Sequence, residues 1–213
     1  MKRLSAALVF LAAVSAASQR QSPTAQEIRQ AEHDVPLLFD LLGLHPGMTA
    51  ADVGAGAGAM TLVGSRRLGP GGHLYSTDVP PNTVTELRAL VVREGLTNVE
   101  ILEGAPDSTH LPDACCDAIF LRDVYHHFTN PGAMNRSLGM ALRPGGRLAV
   151  IDFKPEAGSP LPEGVPANRG GHGINPALII EEVGAAGLVL DRSISNWPDP
   201  KDKLFAVVFH KPQ

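Results

Sequence analysis

Apolar and polar positions along the chain fall into blocks whose period keeps changing. Short, mostly apolar runs recur at TAADV (49–53), GHLYSTDV (72–79), NVEILEG (98–104), CCDAIFLRD (115–123) and RLAVIDF (147–153). Their length and β-branched content predict strands. Between them lie segments with apolar residues at helical spacing: 59–69, PNTVTELRALVVREG (81–95) and NPGAMNRSLGMALRPGG (130–146). Proline before the 81–95 segment and Gly95 at its end are expected at helix ends, and Gly69 closes the 59–69 segment. One more helix is predicted upstream at 31–44, after a polar arm at 18–30, and another at 175–187.

Strands that alternate with helices predict right-handed βαβ units and a parallel sheet covered on both faces. The alternation stops after residue 153. Residues 154–173 are rich in proline and glycine and read as a loop. LVLDRSI (188–194) and LFAVVFH (204–210) are strands joined by a short polar connection, which suits an antiparallel pair. The predicted fold class is α/β: a Rossmann-like, doubly wound, mostly parallel seven-stranded sheet with an antiparallel addition at the C-terminal end.

Composition narrows the function. The net charge is -4 and only 5% of residues are aromatic. That leaves no basic excess to displace counterions from a nucleic acid and no platform for stacking bases. The first residues, MKRLSAALVFLAAVSAASQR, place Lys2 and Arg3 before an apolar run and then small residues. This is the layout of a secretory signal peptide over 1–17, with the remaining domain at 18–213 and an exported, periplasmic location. The run is too short to span a bilayer comfortably. The only cysteines, Cys115 and Cys116, are adjacent. Disulfide geometry suits neighbours poorly, so both are expected to be small apolar fillers of a buried strand.

The densest chemical signal is ADVGAGAGAMT at 51–61, between the first predicted strand and its helix. Such a turn lies where ligands bind in these sheets. Gly54 and Gly56 permit a tight turn and close approach, and Asp78 ends the next strand where an acid can accept ribose hydroxyls. The glycines alone fit a dinucleotide as well as other nucleotides; no Gly-Lys-Ser/Thr follows, so a P-loop is excluded. Asp52, two residues before Gly54, faces a cationic ligand better than a pyrophosphate. Asp107 follows the third strand, placed to accept from an adenine amine.

Taken together, ADVGAGAGAMT, Asp78, APDSTHLP, CCDAIFLRDVYHHF and LRPGGRLAVIDF resemble the class I S-adenosylmethionine-dependent methyltransferases, and within them the small UbiE-like, type 11 kind that includes exported bacterial members. The resemblance runs from about Leu37 to the C-terminus. It implies S-adenosyl-L-methionine as cofactor, with Asp52, Gly54, Gly56 and, more loosely, Gly58 at its methionine end. It implies Asp78 on the ribose and Asp107 on the adenine; family members usually carry Gly-Asp where this chain has Pro106-Asp107. Arg122 is a further expected cofactor contact.

Methyl transfer from a sulfonium needs alignment more than acid–base help, and a base only for hydroxyl, thiol or ammonium acceptors. Asp123, Tyr125, His126 and His127 crowd the end of the fourth strand and are the candidates for that work. His126 or His127 is suited to take a proton near neutral pH. His172 is a weaker candidate for the acceptor pocket. No zinc site is expected, because the histidines lack ligand spacing on one helix face. The acceptor expected is a small molecule, covered by the segment before the first strand and by 154–173. The alternatives are an NAD-linked oxidoreductase and a non-catalytic S-adenosylmethionine-binding protein.

Overall fold

Each apolar block becomes a strand of one sheet: β1 (Thr49–Val53), β2 (His73–Asp78), β3 (Val99–Glu103), β4 (Cys116–Arg122), β5 (Leu142–Phe153), β6 (Val189–Ile194) and β7 (Leu204–His210). The computed structural model describes residues 22–156 and 158–213; the expected leader at 1–17 lies outside the described residues. The strand order is β3-β2-β1-β4-β5-β7-β6. Strands β1 to β5 pair in parallel, and β7 is antiparallel to both β5 and β6. The doubly wound sheet with its antiparallel end is therefore the one the sequence predicts.

Helices α1 (Ala25–Leu42) and α2 (Ala59–Leu68) pack on one face; α4 (Pro131–Ala141) and α5 (Pro176–Ala185) pack on the other; α3 (Pro81–Arg93) lies over β2 and β3. Strand alternation sorts the core between the faces. On β7, Phe205, Val207 and Phe209 join Met134, Leu138, Ile179 and Val183. Ala206 and Val208 point to the opposite cluster, with Val35, Leu38 and Phe39. Each such large side chain contributes about 1.5–3 kcal/mol by leaving water.

Three expectations are corrected. Helix α1 begins at Ala25 rather than 31, because Thr24 and Glu27 form a capping box: Thr24 Oγ1 accepts from Glu27 N–H at 3.2 Å while the Glu27 carboxylate accepts from Thr24 N–H at 2.8 Å. Helix α4 ends at Ala141, and the Pro-Gly-Gly read as its closing turn belongs to β5. There the register shifts between Cys116 and Ala118, and a Cβ on Gly146 would meet the Cys116 and Asp117 carbonyls at 3.1 and 3.2 Å. Glycine in a strand marks such irregular close approach. Finally, Cys115 and Cys116 are joined as a disulfide at the start of β4, not left as free apolar fillers.

Among the described residues no helix is long and apolar enough to cross a membrane.

Candidate functional site: the carboxyl ends of β1, β2, β4 and β5

The turn after β1 is held by two amides: Gly54 and Ala55 both donate to the Thr77 carbonyl, at 2.8 and 3.0 Å. Gly54 has φ +77° and Gly56 φ +54°, a region where L side chains are strained. A Cβ on Gly54 would also overlap the Val124 methyls, whereas one on Gly56 would meet open space. Gly54 is thus required by close packing and Gly56 by backbone conformation. Gly58 does not itself line either cavity, although its neighbours Ala57 and Ala59 line the first; it precedes α2 at a positive φ and sits against Leu87 and Leu90 of α3.

Two cavities meet at Gly54. The first, of about 530 Å³, is lined by Asp52, Gly54, Gly56, Arg122, Asp123 and, from α1 and α3, Glu27 and Glu86. The second, of about 380 Å³, is lined by Asp78, Val79, Pro106, Val124, His127 and Phe128, among other mostly apolar residues. One compartment is acidic and the other is largely apolar.

Asp52 is buried, with one carboxylate oxygen accepting from Thr61 Oγ1 at 2.8 Å. Burial pushes its carboxyl up to about 7, helped by the nearby Asp78 and opposed by the Thr61 hydroxyl. A cation placed in the first cavity would oppose that rise by stabilising the charged carboxylate. Asp78 accepts from Gly56 N–H and Val79 N–H, each at 2.8 Å, so the acid at the end of β2 braces the glycine turn from inside the second cavity. Asp107 stands on an exposed turn closed by the Ala105–Ser108 bridge; Pro106 and Ser108 line the cavity and Asp107 does not.

The residues after β4 divide. Arg122 and Asp123 line the acidic cavity. Arg122 pairs at 3.1 Å with the buried Asp34 of α1, tying that helix to the end of β4. Asp123 sits at φ +62°, its amide bonded to the Ile151 carbonyl. His127 lines the apolar cavity, and burial together with His126 and His172 lowers its pKa, favouring the neutral ring. His126 is 1% exposed; its backbone N–H and Nδ1 both contact the Asp152 carboxylate, at 3.1 and 2.8 Å.

Tyr125 does not join them at the mouth of the site. Its hydroxyl accepts from Asn135 at 2.7 Å and donates to Glu182 at 3.0 Å, within the core beneath α4 and α5. Burial drives its pKa upward. Arg169, also buried, pairs with both Glu182 oxygens and lies over the Tyr125 ring, which pins the 154–173 loop to α5. Sequence reasoning missed Asp34, Asp152 and Arg169. Only Asp152 gave a signal: like Asp52, it is an acid inside an apolar strand run.

This arrangement fits S-adenosylmethionine on three counts. Its ammonium and sulfonium charges match the acidic compartment, its adenine the apolar one, and its ribose the Asp78 carboxylate between them. The comparisons agree. A family model described as a methyltransferase domain matches residues 51–150. The ubiquinone/menaquinone biosynthesis C-methyltransferase UbiE of Vibrio vulnificus is 29% identical over 124 residues, covering 58% of this chain and 48% of that protein. The chain thus aligns with about half the length of this curated relative. A SAM-dependent methyltransferase from Aquifex aeolicus superposes with a TM-score of 0.69 at 27% identity, over 89% of this chain and 94% of that one. The phosphoethanolamine N-methyltransferase 2 of Haemonchus contortus, solved with S-adenosyl-L-methionine, shares the fold with a TM-score of 0.64 at 14% identity, over 85% of this chain and 53% of its own. Residues 51–150 thus match a methyltransferase domain, and the chain is similar in sequence and fold to S-adenosylmethionine-dependent methyltransferases, which supports S-adenosylmethionine as its cofactor.

Proposed function

We propose that the protein transfers a methyl group from S-adenosylmethionine to a small-molecule acceptor. The observation that carries this reading is the pair of carboxylates, Asp52 and Asp78, set on either side of a glycine turn where an acidic and an apolar cavity meet. When bound, the cofactor supplies an electrophilic methyl on a positively charged sulfur, open to in-line displacement.

The chain's own groups do the rest. Asp52 is positioned to compensate the cofactor's cationic end and Asp78 to hold its ribose hydroxyls. The Asp34–Arg122 pair holds α1 against the acidic cavity, which Glu27, Gln30 and Ala31 of that helix help to line. His127 faces a cavity and is favoured in its neutral form, so it is the group suited to take a proton from an acceptor hydroxyl, thiol or ammonium. Asp152 holds the neighbouring His126 ring in place.

We further propose that the protein works outside the cytoplasm. The 1–17 pattern supports export, and the Cys115–Cys116 disulfide suits an oxidising compartment.

The test is paired. S-adenosylhomocysteine should raise the melting temperature and NAD should not. Labelled methyl from S-adenosylmethionine should reach a component of a metabolite extract with the wild type, fail with Asp52→Ala, and slow with His127→Ala while S-adenosylhomocysteine affinity holds. Tight cofactor binding with no labelled product in any fraction would instead favour a non-catalytic binding protein.

A further inference from the structure

We propose that His126, His127 and His172 form a binding site for a divalent transition-metal ion of the zinc class at the carboxyl ends of β4 and β5. The three residues offer ring nitrogens that all lie within 4.8 Å of one another. Their ring centroids are 4.1, 4.8 and 5.7 Å apart. Sequence spacing hid the group, since His172 arrives from the far end of the 154–173 loop.

The second observation is an unpartnered atom. His126 is 1% exposed, yet its Nε2 is buried with no hydrogen-bond partner. Leaving such a polar atom unsatisfied is unfavourable. Its Nδ1 meets Asp152 at 2.8 Å; with the proton there, the lone pair is left on Nε2. A carboxylate behind an imidazole is how proteins fix the tautomer and raise the basicity of a metal-ligating histidine. Asp123, His126 and Asp152 also lie close together, but Asp152 already accepts from His126 Nδ1, His126 N–H and Phe153 N–H. The imidazole set is the better donor group.

All-nitrogen ligation suits zinc, copper or nickel and not magnesium or calcium. Ligand nitrogens around tetrahedral zinc sit about 3.4 Å apart, so the exposed His127 and His172 must swing in slightly toward the fixed His126. Three protein ligands leave a fourth position open. The ion would tie the end of the 154–173 loop to the end of β4. With the ion bound, an acceptor atom on the open position would lose its proton more readily, and the proton-accepting role given to His127 above would apply to the ion-free chain.

The experiment uses the untagged chain with its disulfide intact. Zn²⁺ is titrated by calorimetry, and Co²⁺ is followed by its visible absorption. One ion per chain is expected, with tetrahedral-type cobalt bands. Affinity should fall at least tenfold in His172→Ala and in His127→Ala, both at exposed positions that leave the core intact, and about 10–100-fold in Asp152→Asn. Zn²⁺ binding that is absent, or unchanged in the His127→Ala/His172→Ala double variant, overturns the site. S-adenosylhomocysteine affinity is measured on the same samples, because its loss would sink the methyltransferase reading and leave the ion site standing.

Discussion

Asp52→Asn isolates a conflict between stability and binding. The folded Asp52 carboxyl is pushed up to about 7 from an unfolded value of 3.8, with burial as the main cause. Between those values the folded chain holds a proton that the unfolded chain has released. Stability attributable to Asp52 therefore falls as pH rises through that window, and the full cost is present above it. A shift of roughly three pH units corresponds to about 4 kcal/mol. Asparagine keeps the shape and can still accept from Thr61 but carries no charge. Relative to wild type, the variant should gain little near pH 4 and up to about 4 kcal/mol at pH 8, or about 8–16 °C in Tm for a chain of this size. Urea unfolding at pH 4.5, 6, 7 and 8 measures the difference. The same substitution should weaken S-adenosylhomocysteine binding, whose ammonium loses its counter-charge, and flatten the rise in affinity across pH 7. Parallel stability curves for wild type and variant over the whole range would refute the reasoning.

Other substitutions test separate parts of the site. Gly54→Ala forces a Cβ into Val124 at a positive φ; it should cost about 1–3 kcal/mol in urea unfolding and abolish the thermal shift with S-adenosylhomocysteine. Tyr125→Phe removes the hydroxyl linking Asn135 to Glu182, so it should lower stability by about 1–3 kcal/mol while leaving cofactor affinity unchanged; a loss of affinity would return Tyr125 to the site. Asp34→Ala cuts the tie between α1 and Arg122, and should speed amide exchange across α1 and weaken cofactor binding by about tenfold, ~1.4 kcal/mol.

What could be read from the sequence was what is local or periodic. The strand runs, the glycine turn and Asp78 are encoded within a few residues of where they act. The antiparallel end followed from the short 195–203 connection between two apolar runs. What escaped depends on residues far apart in the chain. The buried Asp34 is paired across the chain with Arg122, besides its local partners Gln30 and His33, and the buried Arg169 is paired with Glu182. Asp107 has the right place in the order of motifs, yet its short turn points it out of the cavity lining. Tyr125 and His127 are two residues apart but end on opposite sides of the backbone, because a single 3-10 turn spans 125–127. The histidine cluster needs the loop to return across the sheet before it exists.

The position of β7 has a consequence for how the chain is made. It lies between β5 and β6, so β5, with its long apolar face, has no neighbour on that side until residues 204–210 are available. A chain emerging from its N-terminus can build β1 to β5 and still expose an open strand edge, a template for pairing with other chains. The sheet is completed only when its last strand is inserted, as a bolt is slid between two leaves. If the chain crosses a membrane N-terminus first, that late bolt keeps it unlocked until the tail has followed.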